Sequence, residues 1–134
     1  MEFVTIVGVI GAAVSAYFAY KSHKNARKAN EAAQVVELHV AWAGVRNINP
    51  QKPIGPDVVK AINTLELTAS FWNRDLVDKD IILDSCWTAF RSLYENLNDC
   101  TKKVPGLDRT GRELLQESQT IEAAYESMKT ASLQ

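Results

Sequence analysis

From Phe3 to Tyr20 the chain runs 18 consecutive positions without a charge, and the next charges are Lys21, Lys24, Arg27 and Lys28. That pairing constrains the fold more than any other feature. At about 1.5 Å per helical residue the run reaches roughly 27 Å, close to the bilayer hydrocarbon thickness of about 30 Å. Thr5, Ser15, Gly8 and Gly11 lower its apolarity without interrupting it, because membrane helices accept Gly and let hydroxyls bond back to their own backbone. Tyr17 and Tyr20 sit at its C-terminal end, where amphipathic rings favour the headgroup level. The run predicts a transmembrane anchor over residues 1–20. A cleaved signal would need a basic region ahead of the apolar run, and only Glu2 lies between Met1 and Phe3. A buried core helix is the other alternative. Positive-inside bias then expects a single pass through a bacterial inner membrane, the N-terminus outside and the C-terminal domain cytoplasmic.

Two tracks of small residues recur along this segment every four positions: Gly8, Ala12 and Ala16, and Gly11, Ser15 and Ala19. Such tracks let helix backbones approach closely in lipid, where packing drives association. They point to self-association or to packing against a partner's helix. The plainer reading is that Ala and Gly are common in membrane helices.

Lys21, Lys24, Arg27 and Lys28 form a basic collar suited to anionic headgroups. Residues 31–134 carry eleven basic and fifteen acidic side chains, a net −4. That balance argues against nonspecific nucleic-acid binding, which relies on Lys and Arg neutralising phosphates. The roughly 110 residues after the anchor suffice for one small domain with a single core. Cys86 and Cys100 are fourteen positions apart. On one helix that is roughly 21 Å, too far to bridge, so both read as free thiols.

Beyond the collar, "KSHKNARKANEAAQVVELHVAWAGVRN" has no proline and favours helix. Residues 21–34 read as a basic stalk. Val35, Leu38, Trp42 and Val45 repeat at helical spacing, so anchor and stalk read as one long helix ending near Arg46 or Asn47. "NINPQKPIGP" is a loop. A second helix begins near Pro56, with Val58, Ile62, Leu65, Ala69 and Trp72 as its apolar stripe. After "NRDLVDKD", Asp78 caps a third helix whose stripe is Ile82, Cys86, Ala89, Phe90, Leu93 and Leu97. "TGRE" reads as a capping box opening a last helix with Leu114, Leu115, Ile121, Ala124, Tyr125 and Met128. No stretch alternates with period two. The expected fold is all-α: an N-terminal transmembrane helix continuing into a small cytoplasmic helical bundle over residues 35–134.

Chemistry is sparse, and no catalytic residue, cofactor or metal is predicted. Asp75, Asp78, Asp80 and Asp84 resemble a cation cluster, but they match no calcium loop, and acids at a helix start are ordinary capping choices. His23 and His39 are too far apart to share a metal. No nucleophile elbow or glycine-rich phosphate loop exists. Trp42, Trp72 and Trp87 fall on three different helices. They could form an aromatic cage, though core packing is the commoner use. Arg46, Arg74 and Arg91 are candidates for a phosphate-bearing ligand. Pairing with neighbouring acids is their commoner role.

"INTLELTASFWNRDLVDKDIILDSCWTAFRSLYENL" resembles a segment of a family of small bacterial and prophage proteins with one N-terminal membrane helix and a cytoplasmic helical domain. Asn63, Glu66 and Ala69 on one helix, with Val77 and Asp78 opening the next, carry the likeness. Trp72 and Asn73 stand where that family has a smaller, often Gly-containing turn. The resemblance covers about 35 residues plus the anchor. It implies the same topology and a setting near mobile elements or phage defence, and it transfers no catalytic residue. The sequence therefore predicts a non-enzymatic membrane protein that meets lipid and binds itself or a protein partner. A membrane-acting effector or exclusion factor in phage–host conflict would fit. The rivals are a tethered sensor of a nucleotide-like ligand and an anchoring subunit of a larger complex.

Overall fold

In this computed structural model the backbone is described for residues 2–134 and the side chains from residue 14 onward. Five helices form among the described residues: α1 (Glu2–Ala43), α2 (Gly55–Asn73), α3 (Lys79–Asn98), α4 (Gly111–Gln116) and α5 (Gln119–Ser132). The chain divides into two compact units, residues 1–33 and 34–134. The first consists of α1 alone, whose side chains from Val14 to Asn30 are all exposed. The last turns of α1 and all of α2–α5 make up the second, an all-α bundle.

Among the residues described with their side chains, no helix is long and apolar enough to cross a membrane. Most of the charge-free run from Phe3 to Tyr20 lies outside them, on residues 3–13. Gly8, Gly11 and Ala12 fall there as well, while Ser15, Ala16 and Ala19 are described and exposed.

The bundle is built around α2. Its buried residues Val58, Ala61, Leu65, Thr68, Ala69 and Trp72 follow the 3–4 spacing that stacks side chains on one helical face. α5 answers with Ile121, Ala124, Tyr125 and Met128, and α3 with Ile82, Cys86, Phe90, Leu93 and Leu97. Ala89, expected in the α3 stripe, is exposed: at about 100° per residue it falls at the edge of the buried arc, beyond Ile82.

Local chemistry sets the boundaries. Pro56 occupies the first turn of α2, where its missing N–H costs nothing. Asp78 caps α3 by accepting from the Asp80 N–H at 2.9 Å. Thr110 caps α4 by accepting from the Glu113 N–H at 3.1 Å. Two boundaries differ from expectation. α1 stops at Ala43 rather than near Arg46, closing with tight bonds from Gly44 N–H to the Ala41 carbonyl and Val45 N–H to the Trp42 carbonyl. The last helix is two, because the Ser118 hydroxyl accepts from the Ile121 N–H at 3.3 Å and starts α5 afresh.

α2 ends in a paired motif. Leu76 N–H donates to the Phe71 carbonyl at 3.1 Å and Asp75 N–H to the Trp72 carbonyl at 3.3 Å. The residue between cap and exit is Asp75, held at φ 52 where such motifs favour glycine. The connection before α4 packs against two helices. A side chain at Gly55 would meet the Pro105 carbonyl oxygen at 2.6 Å, and one at Gly111 would meet Cys100 Cβ at 2.8 Å and the Leu97 carbonyl oxygen at 2.9 Å.

Candidate functional site

The end of α1 joins the bundle by side chains. Leu38 is buried at 4% exposure, and Val35, Trp42 and Val45 pack half-buried around the same core. The Trp42 indole Nε1–H donates to Thr68 Oγ1 at 3.0 Å, and that hydroxyl in turn donates to the Thr64 carbonyl at 2.9 Å. Thr68 is fully buried. Its hydroxyl is thus satisfied on both sides, as a buried polar group must be.

Beside this attachment, α1 and α3 leave a cleft of about 270 Å³. Val35, Leu38, Trp42 and Ala43 form one wall, Ile81 and Ile82 the other, with His39, Ser85 and Cys86 as its polar edge. Burial pushes the Cys86 thiol above its ordinary 9.0. It is therefore a protonated, weakly nucleophilic group. Cys100 is also free and buried. The cleft suits a small apolar group and has no charged side chain to bind phosphate.

The candidate ligand arginines do not line it. Arg46 follows α1, Arg74 caps the end of α2 and Arg91 lies within α3; all three are exposed. Arg91 is engaged by Glu95 four residues on, at 3.1 Å. The three tryptophans take separate partners. Trp72 is buried and donates to Ser127 Oγ at 2.9 Å. Trp87 lies 5.8 Å from the Tyr125 ring, which stacks on Tyr94 at 3.8 Å.

Among the described residues no group of three or more His, Cys, Asp or Glu could hold a metal ion. Of the acidic cluster, Asp78 caps α3 and Asp75 reaches Lys79 at 3.5 Å. His39 edges the cleft, and His23 is exposed on α1. Lys21, Lys24, Arg27 and Lys28 are exposed along α1.

Sequence reasoning missed a second face at the end of α1. Val36 and Val40 are 62% and 69% exposed. With Val35, His39 and Ala43 they line a shallow, wholly apolar groove of about 330 Å³. Their offset from Val35, Leu38 and Trp42 was the available signal: two apolar stripes on one helix need two partners.

The fold and this site define an all-α bundle entered by one long N-terminal helix. No family model, curated protein or solved structure matches the chain.

Proposed function

We propose that the chain is a non-enzymatic, membrane-anchored interaction and assembly module. Residues 3–20 span the bilayer, Lys21, Lys24, Arg27 and Lys28 meet its inner face, and the bundle recognises a partner in the cytoplasm. One observation carries the reading. A single helix, α1, holds a charge-free run of membrane-spanning length at one end and a hydrogen-bonded, apolar attachment to the bundle at the other. The resemblance to small phage-associated membrane proteins gives the module a setting in phage–host conflict, as an effector or exclusion factor.

Fractionation of the tagged full-length protein tests the anchor. It should pellet with membranes through alkaline extraction, whereas a chain lacking residues 1–20 should stay in the supernatant. Recovery of the full chain in the supernatant overturns the reading. Weighing the complex in mild detergent then separates a homo-oligomer from an anchoring subunit bound to a foreign protein.

The cleft favours a second reading, a ligand-sensing bundle. Its size lies just below the range of about 300–1,000 Å³ usual for small-molecule sites. Its lining supports an apolar ligand over a phosphate-bearing one.

A further inference from the structure

The exposed valines at the end of α1 belong to a longer register. Val36, Val40 and Ala43 follow a 4–3 spacing. In sequence the same spacing continues backward through Ala33, Ala29, Ala26, Ser22, Ala19, Ser15, Ala12 and Gly8 without a break. A seven-residue repeat of this kind keeps one seam of a helix facing a partner helix along its length. Leu38 and Trp42, which hold the bundle, fall outside the seam, and Val35 and Ala43 lie at the border between the two faces, so α1 can serve both contacts at once.

Charge sorts along the same register. Lys21, Lys24, Arg27, Lys28 and Glu31 all lie off the seam and off the positions that flank it. The flanks over this stretch are Phe18, His23, Asn25, Asn30 and Ala32. A helix meeting only water has no reason to gather its charges on one side. A foreign helix would be selected through charged flanking positions, and none is charged here before Glu37.

We infer that this seam pairs α1 with α1 of a second copy of the chain, in parallel and in register. Parallel pairing keeps each charge-free run beside its equal, where an antiparallel pair would set it against the basic collar. The seam is then self-complementary: Ala, Ser and Gly face their own kind and let the helices approach closely. Asn25 of one copy comes opposite Asn30 of the other, twice by symmetry, and two amides satisfy each other without a charge. From Ser15 to Ala43 the seam is about 42 Å long, and a contact strip about 10 Å wide buries roughly 840 Å² over both partners, near the roughly 1,000 Å² of a specific interface. The inference rests on the membrane-anchored reading, since it assumes that both charge-free runs enter the same bilayer.

Disulfide trapping in native membranes tests it on the full chain. Single cysteines replace Ala26, Ala29, Ala33 or Val36 on the seam, and Lys24, Arg27, Lys28 or Glu31 off it. The parent chain, with only its buried Cys86 and Cys100, is the control. Mild oxidation should give at least five-fold more homodimer at seam positions than off it, with a period near 3.5 residues. Equal trapping everywhere, a maximum off the seam, no dimer above the parent, or adducts only with a foreign protein would each overturn the pairing. These positions are exposed in the single chain, apart from the half-buried Glu31, and none belongs to its core, so the substitutions spare that core. Membrane pelleting of the same samples separates the two failures. Chain in the pellet without seam dimers removes the pairing and keeps the anchor; seam dimers in the supernatant do the reverse.

Discussion

Thr68 to Val removes one oxygen and tests whether α1 is bonded to the bundle or merely rests on it. The Trp42 indole N–H lies 3.0 Å from Thr68 Oγ1, and Thr68 is fully buried. Valine keeps the volume and deletes the acceptor. A net hydrogen bond is worth about 0.5–1.5 kcal/mol, and a donor left without a partner adds desolvation cost, so the expected loss is about 1–2 kcal/mol. For a domain near 100 residues that lowers Tm by roughly 4–8 °C per kcal/mol. The Thr68 hydroxyl also donates to the Thr64 carbonyl, and a double-mutant cycle with Trp42→Phe cancels that second loss. Denaturant unfolding followed by circular dichroism should give a coupling of about 1 kcal/mol between the two sites. Thr68→Ser, which keeps the hydroxyl, should preserve the coupling. Additive losses, within about 0.3–0.5 kcal/mol, would refute the bonded attachment.

Asp75→Gly should stabilise the fold by about 0.5–1 kcal/mol in the same assay, because the left-handed backbone at φ 52 costs a side-chain-bearing residue what glycine escapes; Asp75→Ala should not. Gly111→Ala should destabilise by about 1–3 kcal/mol, since the new methyl falls 2.9 Å from the Leu97 carbonyl oxygen, a backbone atom that cannot swing aside. The Tyr94 and Tyr125 phenols are pushed above their ordinary 10.0, first by burial and then by Glu122 and Glu95 respectively. The folded chain then holds more protons than the unfolded one above about pH 10, so the contribution is intact below that pH and lost as pH rises through the folded values. Tm should fall over that alkaline range, and less steeply in Tyr94→Phe; an unchanged slope would remove Tyr94 from the account. Cys86, almost fully buried at the edge of the cleft with its thiol held protonated, should react with a thiol reagent at neutral pH well below the rate of an exposed thiol, and reaction at that rate would contradict its burial.

Helix starts were legible because each rests on residues a few positions apart: Pro56, Asp78 before Asp80, and Thr110 before Glu113. The core stripes were legible for the same reason of periodicity, down to Ile82, Phe90 and Leu97 on α3. The break between α4 and α5 was hidden, because Leu114, Leu115 and Ile121 keep an acceptable helical spacing across Ser118. Only its hydroxyl turning onto the Ile121 N–H marks the division. Separate partners for Trp42, Trp72 and Trp87 depend on Thr68, Ser127 and Tyr125, contacts between distant parts of the chain that no local pattern encodes. The cleft was illegible for a similar reason. It is a space between α1 and α3, and its presence depends on how closely two distant segments approach. The valine face was written in the sequence as a second phase, but a reading fixed on the first stripe passes over it.

The close fit of Gly55 under the Pro105 carbonyl and of Gly111 against Cys100 and Leu97 bears on where foreign sequence can be grafted. The segment from Cys100 to Thr110 is exposed over most of its length, yet its backbone is fitted against two helix starts, and a displacement of that backbone would reach both. Gln51 and Lys52 offer the opposite case: both are exposed, in a turn closed by Lys52 N–H on the Asn49 carbonyl at 3.1 Å. A fluorescent domain or epitope inserted between them should leave the bundle folded, whereas the same insert at Gly106 should loosen α2 and α4 together.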